Sequence, residues 1–337
     1  MKRWLFGGAV FANAALVFVV QPLIAKALLP RFGGAPAVWS ASVAFFQAAL
    51  LLGYLWSHLL AQQPFRRQVG LHALLLILAA VFLPPHAPTV ALGLGPVADL
   101  LAALALGVGL PFVAASATSP LLQSWFARTG ADPYFLSSAS NLGSLLGLLA
   151  YPLALEPTLP TSLLLRGWAV AFVVAALSSL ASGISVRNAW PPVSSTEVES
   201  PPIPGARRLR WLALAAVPSC LLLAVTTHVA SNVGAIPLLW VVPLALYLVT
   251  FAHAFARESR VPRALWSFLL VVLVVNAVTL EVLRVETILL LGPAHLAVFF
   301  AAAMACHVAL ANDRPPPAQL TGYWLTVSLG GVVGGIL

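Results

Sequence analysis

Charge is what this chain has least of. Only 8% of its 337 residues are Asp, Glu, Lys or Arg, where a soluble domain carries about a quarter. Acids are the scarcest, 9 against 17 Lys and Arg. Two cysteines, Cys220 and Cys306, both sit inside apolar runs. They form no disulfide framework, no Cys/His spacing of metal-binding type accompanies them, and they read as small core residues. The one glycine-rich run, Gly330-Gly331-Val332-Val333-Gly334-Gly335, follows no strand and precedes no acid. That context excludes a nucleotide-binding loop. The run offers instead Gly330/Gly334 and Gly331/Gly335 as small-xxx-small pairs for close helix packing, as do Gly143 and Gly147.

What fills the chain is apolar: 61% hydrophobic residues and a mean hydropathy of +0.99. Repeated apolar runs of about 20 residues are membrane-spanning helices. They lack the alternation of a membrane barrel. Lys2 and Arg3 imitate a secretory leader, but the run after them is too long and ends in no small-residue cleavage site. The expectation is an all-α polytopic bundle of about eleven helices. In order, these are expected near 4–25, 37–60, 69–83, 100–126, 135–155, 163–184, 211–230, 236–255, 264–280, 288–311 and from 320 onward. Pro111 is expected to kink the fourth, with a neighbour satisfying the freed carbonyl. Between the sixth and seventh lies SVRNAWPPVSSTEVESPPIPGARRLR, rich in Pro and Ser. It divides the chain into 1–184, a flexible linker 185–210, and 211–337.

The net charge of +8 invites a nucleic-acid reading. Topology explains it first. With a cytoplasmic N-terminus, the inner segments hold 13 of the 17 cations and 5 of the 9 acids, so the whole net charge lies on the inner face. Nucleic acid is therefore not an expected partner; the lipid bilayer is, with a small solute as the open possibility. A short block repeats between the halves: Gly34-Ala-Pro-Ala-Val-Trp39 opens the second helix and Gly234-Ala-Ile-Pro-Leu-Leu-Trp240 the eighth. Six helices, a linker and a second set are the major-facilitator layout.

Three blocks carry a resemblance. LVFVVQPLIAKALLPRFGGAPAVW followed by FFQAALLLGYLWSH, then SPLLQSWFARTGADPYFLSSASNLGSLLGLLAYP, then PSCLLLAVTTHVASNVGAIPLLWVVPLALYLVTF span most of the chain. Together they resemble the membrane region of bacterial fused major-facilitator/spermidine synthases. The resemblance implies an inner-membrane module followed by a spermidine-synthase-like aminopropyltransferase domain beyond Leu337, so that these residues would be the front part of a longer protein. It implies no enzyme activity and no cofactor within 1–337. The facilitator loop between the second and third helices carries an Asp, where this chain has Ser57 or His58.

A transport reading needs polar groups inside the bundle. The pathway candidates are Asn13, Gln21, Gln47, Asn141, Thr227, Asn232 and His307, with Thr226 and His228 beside them. The bland reading of each is an interhelical hydrogen bond. Ser137, Ser138 and Ser140 add to Asn141 and make one side of the fifth helix unusually polar. Lys26 and Arg31 are expected at the outer mouth, the chain turning near Leu29 because Pro30 disfavours the preceding α conformation. They would attract an anion and repel a polyamine; the rival roles are interfacial snorkelling and structural ion pairing. Two functions stay open: a solute-moving module, and a membrane anchor for the attached enzyme that transports nothing.

Overall fold

The structure is a computed structural model, and it describes residues 2–187, 202–233, 241–255, 263–284 and 287–336. Among these the chain is all-α, eleven helices with no strand. They are α1 (Lys2–Phe32), α2 (Pro36–Ala61), α3 (Phe65–Ala80), α4 (Pro96–Ala127), α5 (Phe135–Thr158) and α6 (Thr161–Val186). After the segment 188–201, which lies outside the described residues, come α7 (Gly205–Val233), α8 (Val241–Phe255), α9 (Arg263–Val282), α10 (Ile288–Asn312) and α11 (Leu320–Ile336). Among the described residues, eight helices are long and apolar enough to cross a bilayer. The repeat expected at Gly234–Trp240, and most of the linker, lie outside the described residues.

Prolines shape the long helices. α1 runs on through Pro22 and Pro30, which corrects the expected turn near Leu29. Pro30 stands in the last turn, so it deprives only the Lys26 carbonyl of a donor. The turn comes at Gly33 instead, at φ 71, with its amide bonded to Leu29 O at 2.9 Å. In α4 a π-turn, Ala105–Gly109, immediately precedes Pro111. Pro111 has no N–H for the carbonyl four residues back, Gly107 O. The His86 amide of the α3–α4 loop takes that carbonyl at 3.3 Å. Only glycine permits this approach, since a Cβ on Gly107 would lie 2.1 Å from His86 O. A second π-turn, Tyr151–Leu155, surrounds Pro152 in α5.

Packing follows the small residues. A Cβ on Gly143 or Gly147 of α5 would meet Phe11 O at 2.3 Å or Ala15 O at 2.6 Å of α1. A Cβ on Gly330 or Gly334 of α11 would meet Leu212 O at 2.5 Å or Ala216 O at 2.1 Å of α7. These two interfaces have the same design six helices apart. Leu142-Gly143-Ser144-Leu145-Leu146-Gly147 matches Leu329-Gly330-Gly331-Val332-Val333-Gly334, each face set on a pair of residues four apart. The other contacts repeat in the same way: α1 with α4 and α7 with α10, α2 with α4 and α8 with α10, α3 with α4 and α9 with α10. Between the first six helices and the rest, α2 packs on α11 and α5 on α8, a pair of contacts that exchanges into itself under the same shift. α3, α6 and α9 turn Leu74, Ile77, Val170, Val174, Phe268 and Val275 outward as the lipid-facing surface.

Candidate functional site

The polar groups concentrate along the seam where α2, α4 and α5 meet α8, α10 and α11. Trp324 Nε1 donates to Gln123 Oε1 at 3.1 Å, and Ser137 Oγ donates to the same oxygen at 3.2 Å. Gln123 Nε2 reaches Ser119 Oγ at 3.5 Å, and Ser119 Oγ donates to Ser140 Oγ at 3.2 Å. This chain of buried contacts ties α4 to α5 and to α11. Nearby in the sequence of α5, Asn141 holds its Nδ2 buried with no hydrogen-bond partner, and Ser328 Oγ of α11 is in the same state. Each stands two residues before the glycine that packs on α1 or α7, so they are equivalent positions of the repeated pattern. His307 of α10 is wholly buried. Its Nδ1 meets Thr250 Oγ1 at 3.0 Å, while its Nε2 has no partner. Tyr247 and Phe251 flank the imidazole edge-on at 4.9 and 4.7 Å.

The remaining candidates separate. Asn13 faces α6, donating to Ser179 Oγ at 3.0 Å and to Ala9 O at 2.8 Å, so it ties α1 to α6 away from the seam. Gln21 donates to Val17 O of its own helix at 3.1 Å. Gln47 donates to Ser219 Oγ at 3.4 Å, and Ser219 Oγ to Gly331 O at 2.8 Å, which links α2, α7 and α11. Its amide lies where a Cβ on Gly335 would stand, 2.0 Å from Oε1. Thr227 is exposed, and the Asn232 side chain lies outside the described residues. Lys26 and Arg31 do not share an opening. Lys26 Nζ pairs with Glu156 at 2.8 Å, whereas Arg31 donates to the carbonyls of Pro88 and Val90 in the α3–α4 loop.

One end of the bundle, the end carrying the N-terminus and the residues that flank 188–201, is closed across the seam. His58 Nδ1 of α2 meets Thr321 Oγ1 of α11 at 3.0 Å. Tyr134 donates to Pro315 O, and the Arg314 guanidinium covers the Tyr134 ring at 4.6 Å. Burial pushes the Tyr134 phenol up to about 12, so it stays a neutral donor at physiological pH. Asp313 fixes this loop to α7, accepting from Arg207 Nε and Trp211 Nε1 at 2.9 Å each. A cavity of about 270 Å³ opens here, lined by His58, Arg208, Trp211, Gln319 and Thr321. A larger one of about 720 Å³ lies on the outside of α1 and α6, lined by Trp4, Gly8, Ala12, Gly167 and Val170. Neither includes Gln47 or Asn141.

Sequence reasoning passed over Gln123, Trp324 and Ser328, because Gln and Ser scattered in apolar runs carry no spacing that singles them out. It also passed over a cluster at the opposite end, where His228 of α7, Glu281 of α9 and His295 of α10 place their ligand atoms within 4.8 Å of one another. No local spacing reveals three residues from three helices. Comparison with protein-family models and with curated proteins finds no match for this chain.

Proposed function

We propose that this chain is a multi-pass membrane module whose two halves, 1–184 and 211–337 joined by the linker 185–210, carry a small solute by alternating access. The observation that carries the reading is the seam. Contacts across it exchange under a six-helix shift, as two halves rocking about a central site require. At equivalent depths on both sides it buries the polar atoms Asn141 Nδ2 and Ser328 Oγ without partners. Burying a polar group unpaired costs about 1–3 kcal/mol, and water in a central pathway would relieve that cost. No described acid lies on the seam; Asp99, Asp132, Glu156, Glu281 and Asp313 all stand at helix ends or in loops. That argues for a neutral or anionic solute over a polycation.

The charge asymmetry supports a bacterial inner-membrane placement with a cytoplasmic N-terminus. The three resemblance blocks support membership of the fused facilitator/spermidine-synthase group. The alternative function, an anchor for a spermidine-synthase-like domain, is favoured by one observation: neither of the two cavities described is lined by Gln47, Asn141 or Ser328.

Cysteine accessibility separates the two. In a background with Cys220→Ala and Cys306→Ala, Asn141→Cys and Ser328→Cys should react with a water-soluble, impermeant thiol reagent in oriented vesicles, at rates well above that of Ala114→Cys. Ser195→Cys in the linker should react from the cytoplasmic side alone. Protection of the seam positions equal to that of Ala114→Cys would support the anchor and defeat the transport reading.

A further inference from the structure

We propose that His228, Glu281 and His295 form a binding site for a divalent transition-metal ion of the zinc type. The first observation is a conflict of lone pairs. His295 Nδ1 stands 2.8 Å from Leu291 O. A carbonyl only accepts, so Nδ1 carries the hydrogen and Nε2 of the neutral ring presents a lone pair. That lone pair faces Glu281 Oε1 at 3.6 Å. With the ring neutral two acceptors confront each other, and either a proton on Nε2 or a cation between the two atoms resolves the conflict. The distance is too long for a charged N–H···O bond, which closes to about 2.8 Å. It is close to the spacing of two ligands on a tetrahedral zinc, about 3.3 Å for bonds of about 2.0 Å.

The second observation is the second imidazole. The His228 ring lies 4.5 Å from that of His295, tilted 34°, and all three residues bring ligand atoms within 4.8 Å of one another. A shared proton needs only one nitrogen and one oxygen; this arrangement supplies a third donor. Two imidazoles and a carboxylate suit zinc and its first-row neighbours, whereas calcium and magnesium take oxygen ligands throughout. The Nδ1–H bond to Leu291 O is also the support that metal-ligating histidines use to fix ring orientation. Finally, α9 ends here, at Val282, and the partial negative charge of a helix C-terminus favours a cation. Three ligands leave a further coordination position open to water or to a small anion.

The site does not depend on whether the module transports anything, so its test reads binding. The purified chain, stripped with a chelator, is titrated with Co²⁺ and followed by its visible absorption, then with Zn²⁺ and followed by melting temperature. The expected result is one saturable Co²⁺ per chain and a Zn²⁺-dependent rise in Tm. His295→Ala and His228→Ala should each weaken binding at least tenfold and abolish that rise. Glu281→Gln, at an exposed position that tolerates the change, should weaken binding while the protein stays monodisperse. His253→Ala, on an exposed face of α8, should change nothing. Equal Co²⁺ affinity in the His228→Ala/His295→Ala double variant would overturn the proposal. So would a Tm that responds to pH through the His295–Glu281 pair but not to Zn²⁺.

Discussion

Lys26 and Arg31 lie on one helix, about 140° apart around its axis at 100° per residue, and each finds its own partner. Lys26 meets Glu156 across the α1–α5 interface, and Arg31 holds the carbonyls of the α3–α4 loop. The pairing makes a double-reversal test decisive for Lys26. Lys26→Glu should lower the melting temperature by placing two carboxylates together, and adding Glu156→Lys should restore it. A double variant as unstable as the single one would remove the pairing from the account. The glycines behave more simply. Gly143→Leu must push a side chain into the α1 backbone, where a Cβ alone would stand 2.3 Å from Phe11 O. Overpacking of this kind costs about 1–3 kcal/mol. Gly8→Leu, with nothing within 4 Å of its Cβ, should leave stability unchanged or raise it. Equal melting temperatures for the two variants would mean that α1 and α5 are not in backbone contact.

At the scale of elements, α4 shows how a local sequence feature recruits a distant loop. Pro111 frees Gly107 O, and the π-turn that accommodates it presents this carbonyl to the His86 amide. Pro111→Ala would supply an N–H within the helix to compete for that carbonyl. Hydrogen exchange at His86 should then quicken, and protease should cut the loop around residues 86–93 sooner. Unchanged exchange at His86 would mean that the loop is held by Arg31 and by the Leu92 amide on Asp99 Oδ1 rather than by Gly107 O. Much at this scale was legible beforehand. Helix number and order followed from apolar run length, and the freed carbonyl before Pro111 from its missing donor. Pro30 was misread because the rule against α conformation before proline is a local preference, and the packing of α1 outweighs it. The Gly143/Gly147 and Gly330/Gly334 stripes were legible because small-residue spacing is itself the packing code. The repeat shared by those two stripes became visible only once the contacts of α1 and α7 had been set side by side. His295 with Glu281 and Gln123 with Trp324 were not legible at all. Each pair joins separate helices, and no periodicity within either helix encodes its partner.

For the whole molecule, the proposed alternating access requires the halves to rock about the seam. The end of the bundle that carries the N-terminus, Val186 and Gly205 is closed by His58–Thr321 and by Tyr134 with Pro315 and Arg314. A transporter must open this end in one state and close it in the other, while the far end does the reverse. Spin labels report both motions in one membrane-reconstituted protein. One pair, at Thr129 and Ala318, spans the closed end across the seam; a second pair, at Leu159 and Thr287, spans the far end. The account predicts two populations of distance for each pair, and Tyr134→Phe, which removes the bond to Pro315, should enrich the longer Thr129–Ala318 distance while shortening the far-end one. A single distance at each end, unmoved by Tyr134→Phe, would contradict it and leave a rigid membrane anchor.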